Sequence, residues 1–137
     1  MTYLLDTNVV SELRRTDRCD PRVRAWADGV AVEPFHLSVI SILEIELGIR
    51  ALERRDRAQA EILRAWLERR VLPQFDGRLL AVDLAVARRC AQLHVPNRLP
   101  ERDAFIAATA LTHNLVLVTR NTKDFQVTGA SLLNPWE

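Results

Sequence analysis

What most constrains this chain is an alternation, in which apolar runs of strand length recur between longer segments of helical spacing. The strand candidates are Tyr3 to Leu5, Phe35 to Leu37, Leu79 to Val82, Leu115 to Thr119 and Ser131 to Leu133. Apolar runs this short, set between turn-forming residues, read as strands. Helical spacing is read over Val9 to Leu13, from Pro21 past Val23 and Trp26, over Val39 to about Arg54, Arg57 to Val71, Leu84 to His94 and Glu101 to Asn114. Ser38 and Asp83 stand where helix caps belong, and Pro21 where a first-turn proline is tolerated. Strands alternating with helices specify an α/β fold with a mainly parallel sheet of four to five short strands flanked by helices.

With 137 residues, 48% of them apolar, the chain can bury a core without staples and is expected to form a single domain over 1–137. A formal charge of +1 argues against a protein that coats nucleic acid by bulk electrostatics, though not against one that acts on it. Cys19 and Cys90 match no zinc spacing and read as free thiols. No leader-like stretch and no apolar run of membrane length is present, so a soluble, cytoplasmic protein without membrane partners is expected.

In open α/β sheets, ligands bind beyond the carboxyl ends of the strands. Asp6 follows the first strand directly, and Asn121 and Asp124 follow the Leu115 to Thr119 run. In the helix after Ser38, the stretch Ser41 to Gly48 offers two acids, Glu44 and Glu46, which point about 200° apart at helical spacing. Glu46 shares a face with Arg50, Glu53 and Arg54 and reads as a solvated residue. Glu44 falls among Ile40, Leu47, Gly48 and Ala51, and a carboxylate on an apolar arc calls for a partner or a metal. Asp103 lies in the first turn of an Ala-rich helix, on the side of Ala107, Ala110 and Leu111. Singly, each acid has a bland reading: Asp6 a turn residue, Asp103 a partner of the helix dipole, Asp124 a cap. Jointly they make a hard-oxygen set suited to Mg²⁺ or Mn²⁺ and to metal-assisted phosphodiester hydrolysis.

The segments Leu4-Leu5-Asp6-Thr7-Asn8, Glu44 to Gly48, Arg102-Asp103-Ala-Phe-Ile-Ala-Ala-Thr109 and Val118-Thr-Arg-Asn-Thr-Lys-Asp-Phe125 resemble the PIN domain, in particular its VapC-type ribonuclease toxins. The resemblance runs from Tyr3 to the Asn134-Pro135-Trp136 tail. It implies a PIN-like three-layer fold and a Mg²⁺- or Mn²⁺-dependent endoribonuclease whose acidic constellation is Asp6, Glu44, Asp103 and Asp124. Asp6 and Asp103 would be the principal metal ligands, Glu44 would orient metal or water, and Asp124 would complete the outer part. Asn8, Thr119 and Asn121 stand at supporting positions. In some relatives an acid occupies the place of Asn121, so the fourth position lies between Asn121 and Asp124. The resemblance also implies an RNA substrate, a cognate antitoxin and a homodimer.

Other residues invite chemistry less strongly. His36, His94 and His113 lie in an apolar run or near helix ends, where structural roles prevail. Trp26 and Trp66 sit at helical spacing with aliphatics, as core or interface anchors. Residues 14–24 and 50–70 each carry a net +3 and suit either RNA phosphates, an acidic partner segment, or solvated faces with internal ion pairs. Two alternatives stand beside the nuclease. A haloacid-dehalogenase-like phosphatase would need an acid two residues after Asp6, where Asn8 stands, and a non-catalytic RNA- or partner-binding domain would have no need of all four acids.

Overall fold

The structure, a computed structural model, describes residues 1–31 and 34–137. In chain order its strands are β1 (Tyr3–Leu5), β2 (Phe35–Ser38), β3 (Leu79–Leu80), β4 (Val116–Val118) and β5 (Leu132–Leu133). The helices are α1 (Thr7–Arg14), α2 (Pro21–Asp28), α3 (Val39–Glu53), α4 (Arg57–Trp66), α5 (Leu72–Gln74), α6 (Leu84–Leu93), α7 (Glu101–His113) and α8 (Thr122–Phe125). All strand pairings are parallel, in the order β3-β2-β1-β4-β5. The chain therefore winds outward from β1 to β3, then crosses back to β4 and β5. That reversal places a topological switch point between β1 and β4, where an open sheet leaves a crevice beyond its carboxyl ends.

Alternation along each strand divides the core into layers. Tyr3 and Leu5, Leu79, Val118 and Leu133 face a cluster built with α1 to α4, including Val9, Val23, Ile45 and Ile49. Leu4, Leu80, Leu117 and Leu132 face Ile106, Ala107 and Ala110 of α7. A helix–sheet–helix sandwich results, and it covers both faces of the sheet, the face of β2 that carries His36 and Ser38 among them.

Several expected bounds shift for local reasons. Helix α1 begins at Thr7 rather than Val9, because Asp6 itself is the N-cap and accepts from the Thr7 amide. Ser38, Asp20 and Asp83 cap α3, α2 and α6 through their side chains. The segment expected as one helix to Val71 is α-helical to Trp66 and then widens into a π-helical turn over Leu67–Val71. Pro73 follows that turn; it lacks an amide proton and its ring crowds the carbonyl four residues back, which favours the wider hydrogen-bond ring. The three strands expected over Leu79 to Val82, Leu115 to Thr119 and Ser131 to Leu133 are each shorter, although the Thr119 amide still donates to the Leu133 carbonyl of β5 at 3.0 Å while its hydroxyl reaches Asp6. No helix among the described residues is long and apolar enough to cross a membrane.

Candidate active site

Asp6 occupies the switch point itself. Its backbone amide donates to the Val118 carbonyl at 2.9 Å, which extends the β1–β4 pairing by one residue and fixes the carboxylate in the crevice. Only 6% of the residue is exposed. One oxygen, Oδ1, accepts from the Thr7 amide at 2.8 Å, and the other, Oδ2, accepts from the Thr119 hydroxyl at 2.8 Å. These bonds favour the ionised form, yet the carboxyl is raised to about 6, because burial outweighs them and Asp103 and Glu44 add like-charge repulsion. A buried carboxylate left this costly, with both oxygens fixed, is prepared for a cation.

Asp103 reaches the same crevice from the first turn of α7. Ala104, Ala107 and Ala108 are fully buried and let the helix lie close on its neighbours, so the acid is carried inward. Its carboxyl is raised by burial first, then by Glu44 and Asp124, with Arg102 opposing. The repulsions acting on Asp6 and Asp103 thus run to Glu44 and Asp124 as well, which brings the four acids into one electrostatic cluster. Asp124 is its exposed member, on the short helix α8. Asn121 lies at the start of α8 and contributes its backbone amide, which donates to Thr119 Oγ1 at 3.0 Å.

Glu44 arrives by a route the helix pattern does not give. The buried face of α3 carries Ser41, Ile45 and Ile49. Of the arc read as apolar, Leu47 is 49% exposed and Gly48 and Ala51 are exposed too, while Ile40 is partly buried. The apolar arc is therefore not the core face, and Glu44 sits beside the core face, partly buried. What holds it is Thr7, whose hydroxyl donates to Glu44 Oε1 at 2.7 Å and lies 2.9 Å from the buried Ser41 hydroxyl. Glu46 is likewise not simply solvated: it takes a 2.5 Å contact from Arg64 Nη1 and joins α3 to α4.

Thr7 and Ser41 are thus site residues that the sequence reading missed. The signal was present in Thr7, which follows Asp6 at the start of a helix, but its partners lie 34 and 37 positions away. Thr119 is fully buried and gathers three contacts, donating to Asp6 and accepting from the Asn121 amide and, at 3.5 Å, from Asn8 Nδ2. Asn8 also accepts from the Arg120 amide through Oδ1, so its side chain ties α1 to the segment after β4.

The donor set fits a hard divalent cation. The carboxylates form an open group rather than a closed cage, and Mg²⁺ in particular binds through one or two carboxylates while keeping water. A tighter group lies elsewhere, where Cys90, His94 and Glu101 bring ligand atoms within 4.8 Å of one another. There His94 Nδ1 accepts from the Leu99 amide at 3.0 Å, which leaves the proton of a neutral ring on Nε2, the atom facing Cys90 and Glu101. A protonated Nε2 is no metal ligand, so these contacts join α6 to α7. Trp26 stacks on Phe35 with a 5.4 Å centroid separation inside the core, consistent with an anchor. The Arg-rich segments are partly consumed by pairs such as Arg22–Asp20, Arg50–Glu53 and Arg64–Glu46.

A protein-family model described as PIN domain matches residues 3–130. The chain is 37% identical, over 98% of its length and 97% of the relative's, to the VapC ribonuclease Y4jK of Sinorhizobium fredii. It is 37% identical to toxin FitB of Neisseria gonorrhoeae, covering 97% of both chains. The fold superposes on a chain in the crystal structure of FitAcB from Neisseria gonorrhoeae with a TM-score of 0.90, 36% identity and 99% coverage of both chains.

Proposed function

This chain belongs to the PIN domain family, and on that premise we propose that Asp6, Glu44, Asp103 and Asp124 form the acidic centre with which it cuts RNA. The protein is the ribonuclease toxin of a toxin-antitoxin pair, dependent on a divalent metal and paired with a cognate antitoxin. Mg²⁺ is the proposed metal, with Mn²⁺ as its substitute, because the donors are all hard oxygens. The observation that carries this reading is the Asp6 carboxylate: buried at the switch point, held through both oxygens, and pressed by two neighbouring acids.

Asp6 and Asp103 would hold the cation. When bound, it supplies charge stabilisation for an in-line phosphodiester displacement and eases deprotonation of the attacking water. Thr119 and the Thr7 amide fix the Asp6 oxygens, so that the carboxylate needs no rearrangement when a cation arrives. Thr7 fixes Glu44 through Oε1, which leaves Oε2 to orient a water or take its proton. Asp124 shapes the outer edge. Asn8 stands where a phosphatase of the competing class needs an acid, and it is engaged instead with Thr119 and Arg120.

A groove of about 360 Å³ between α1, α3 and α4 begins at Thr7 and Glu44, runs past Ile45, Leu52 and Leu63 to Trp66, and carries Arg14 and Arg55. Its apolar wall and basic rim suit an acidic, amphipathic segment of the antitoxin. Exposed Val39, Leu43 and Leu47 on α3 and Ile62 on α4 leave apolar surface for a second copy of the chain, in keeping with a homodimer. Purified Asp6→Asn and Asp103→Asn variants should fold, lose Mg²⁺-dependent RNA cleavage and lose growth toxicity on induction. Full cleavage by both would overturn the site.

A further inference from the structure

An acidic centre that cuts RNA must admit a polyanion, and a single divalent cation offsets only half the charge of four carboxylates. We infer that Arg102 binds the RNA phosphate next to the proposed metal, as a substrate-contacting residue on the rim of the site; the inference rests on the reading of the site given above. Arg102 lies one position before Asp103 in the first turn of α7, with its side chain half exposed. Its Nε is 3.8 Å from Glu44 Oε2, beyond hydrogen-bond reach. The contact uses Nε, and among the described residues the guanidinium has no other ionic or hydrogen-bonded partner. The terminal nitrogens therefore remain available as a fork, the geometry that grips a phosphate through two parallel bonds.

Several other arginines are engaged elsewhere. Arg120, also close to the end of β4, stacks on the Trp136 ring at 5.2 Å. Arg64 and Arg50 are tied to Glu46 and Glu53, and Arg98 to Glu101. Arg102 is also the cation whose charge acts on Asp103. Its position at the N-terminal end of a 13-residue helix adds a positive dipole end on the same side. An exposed pair as long as Arg102–Glu44 contributes little by itself, so exchanging Glu44 for a phosphate oxygen meets almost no opposition.

The test compares wild type, Arg102→Ala and Arg102→Lys, with Asp103→Asn as the reference for the site itself. Cleavage kinetics are read on a labelled single-stranded oligoribonucleotide of mixed sequence, and binding of the same RNA is read in the Asp103→Asn background across a salt series. Arg102→Ala should raise KM by about tenfold or more, the loss of one charge-assisted pair. The slope of log affinity against log salt should become shallower by about 0.7, one phosphate contact on a single strand. Arg102→Lys should keep the salt slope but recover KM only in part, since a point charge lacks the fork. Unchanged KM and salt slope in Arg102→Ala would overturn the inference. Tighter metal binding with unchanged RNA affinity would also overturn it and make Arg102 an internal counter-ion of Glu44. If Asp103→Asn still cleaves, the site reading fails; if it is inactive and Arg102→Ala matches wild type, only the role of Arg102 fails.

Discussion

Asp6→Asn should make the metal-free protein more stable at neutral pH, even though it removes the carboxylate on which cleavage depends. Burial lifts the Asp6 carboxyl from 3.8 to about 6, with repulsion from Asp103 and Glu44 added and the bonds from Thr119 and the Thr7 amide opposing. Below 3.8 the folded and unfolded chains both hold the proton, and Asp6 contributes no pH dependence. Between 3.8 and about 6 the unfolded chain ionises first, so folding stability falls by about 1.4 kcal/mol per pH unit. Above that window both states are ionised, and the penalty levels off at about 3 kcal/mol. Asn carries no such penalty and caps a helix as well as Asp does. Its amide nitrogen, however, must face the Thr119 hydroxyl in place of an acceptor, a loss of about 1 kcal/mol. The net expectation is a gain of about 2 kcal/mol at pH 7 that shrinks as pH falls and becomes a slight loss near pH 4. Urea unfolding followed by circular dichroism, with chelator present and pH stepped from 4 to 8, measures it directly. Saturating Mg²⁺ should reverse the order at pH 7, because only the wild type keeps a ligand that favours the folded state. A difference that does not change with pH, or a less stable Asn variant at pH 7, refutes the reasoning and reduces Asp6 to a helix cap.

Three further outcomes follow from the same contacts. Thr7→Val should lower kcat by about tenfold through a loosened Glu44, with Thr7→Ser restoring it, as steady-state cleavage rates will show. Glu44→Gln should cut activity far more than Glu46→Gln, whereas Glu46→Gln should lower the melting temperature slightly by leaving Arg64 only Glu53 as its partner on α3; the reverse ranking in activity would relocate the third acid. Thr119→Val removes the hydroxyl that favours ionised Asp6, so its carboxyl rises further. Metal binding, followed by titration calorimetry, should then begin at a higher pH than in wild type, since the ligand is the ionised form.

Much of the architecture was legible because it is written locally. Short apolar runs, caps at Ser38 and Asp83 and a proline at the head of α2 state where elements begin, and the strand-end rule then points to Asp6, Asn121 and Asp124 without any knowledge of packing. Glu44 does not lie on a buried apolar arc of α3, as its helical spacing suggests. Of the residues on that arc, Leu47, Gly48 and Ala51 lie open, and Ser41, Ile45 and Ile49 form the covered face. Periodicity records which residues are apolar, but not which face a neighbouring element covers.

The sequence by itself determined the layered α/β frame, since short apolar strands alternating with helices build a parallel sheet, and it determined that acids stand beyond the ends of β1 and β4. Only the tertiary structure decided what those acids are chemically. Thr7 meets Ser41 and Glu44, and Thr119 meets Asp6, across separations of 34, 37 and 113 residues. Glu46 turns to Arg64, and Asp6 titrates near 6 because of what surrounds it. Desolvation and charge repulsion depend on which groups are brought within a few ångströms, and that proximity is a property of the packed chain rather than of any segment within it.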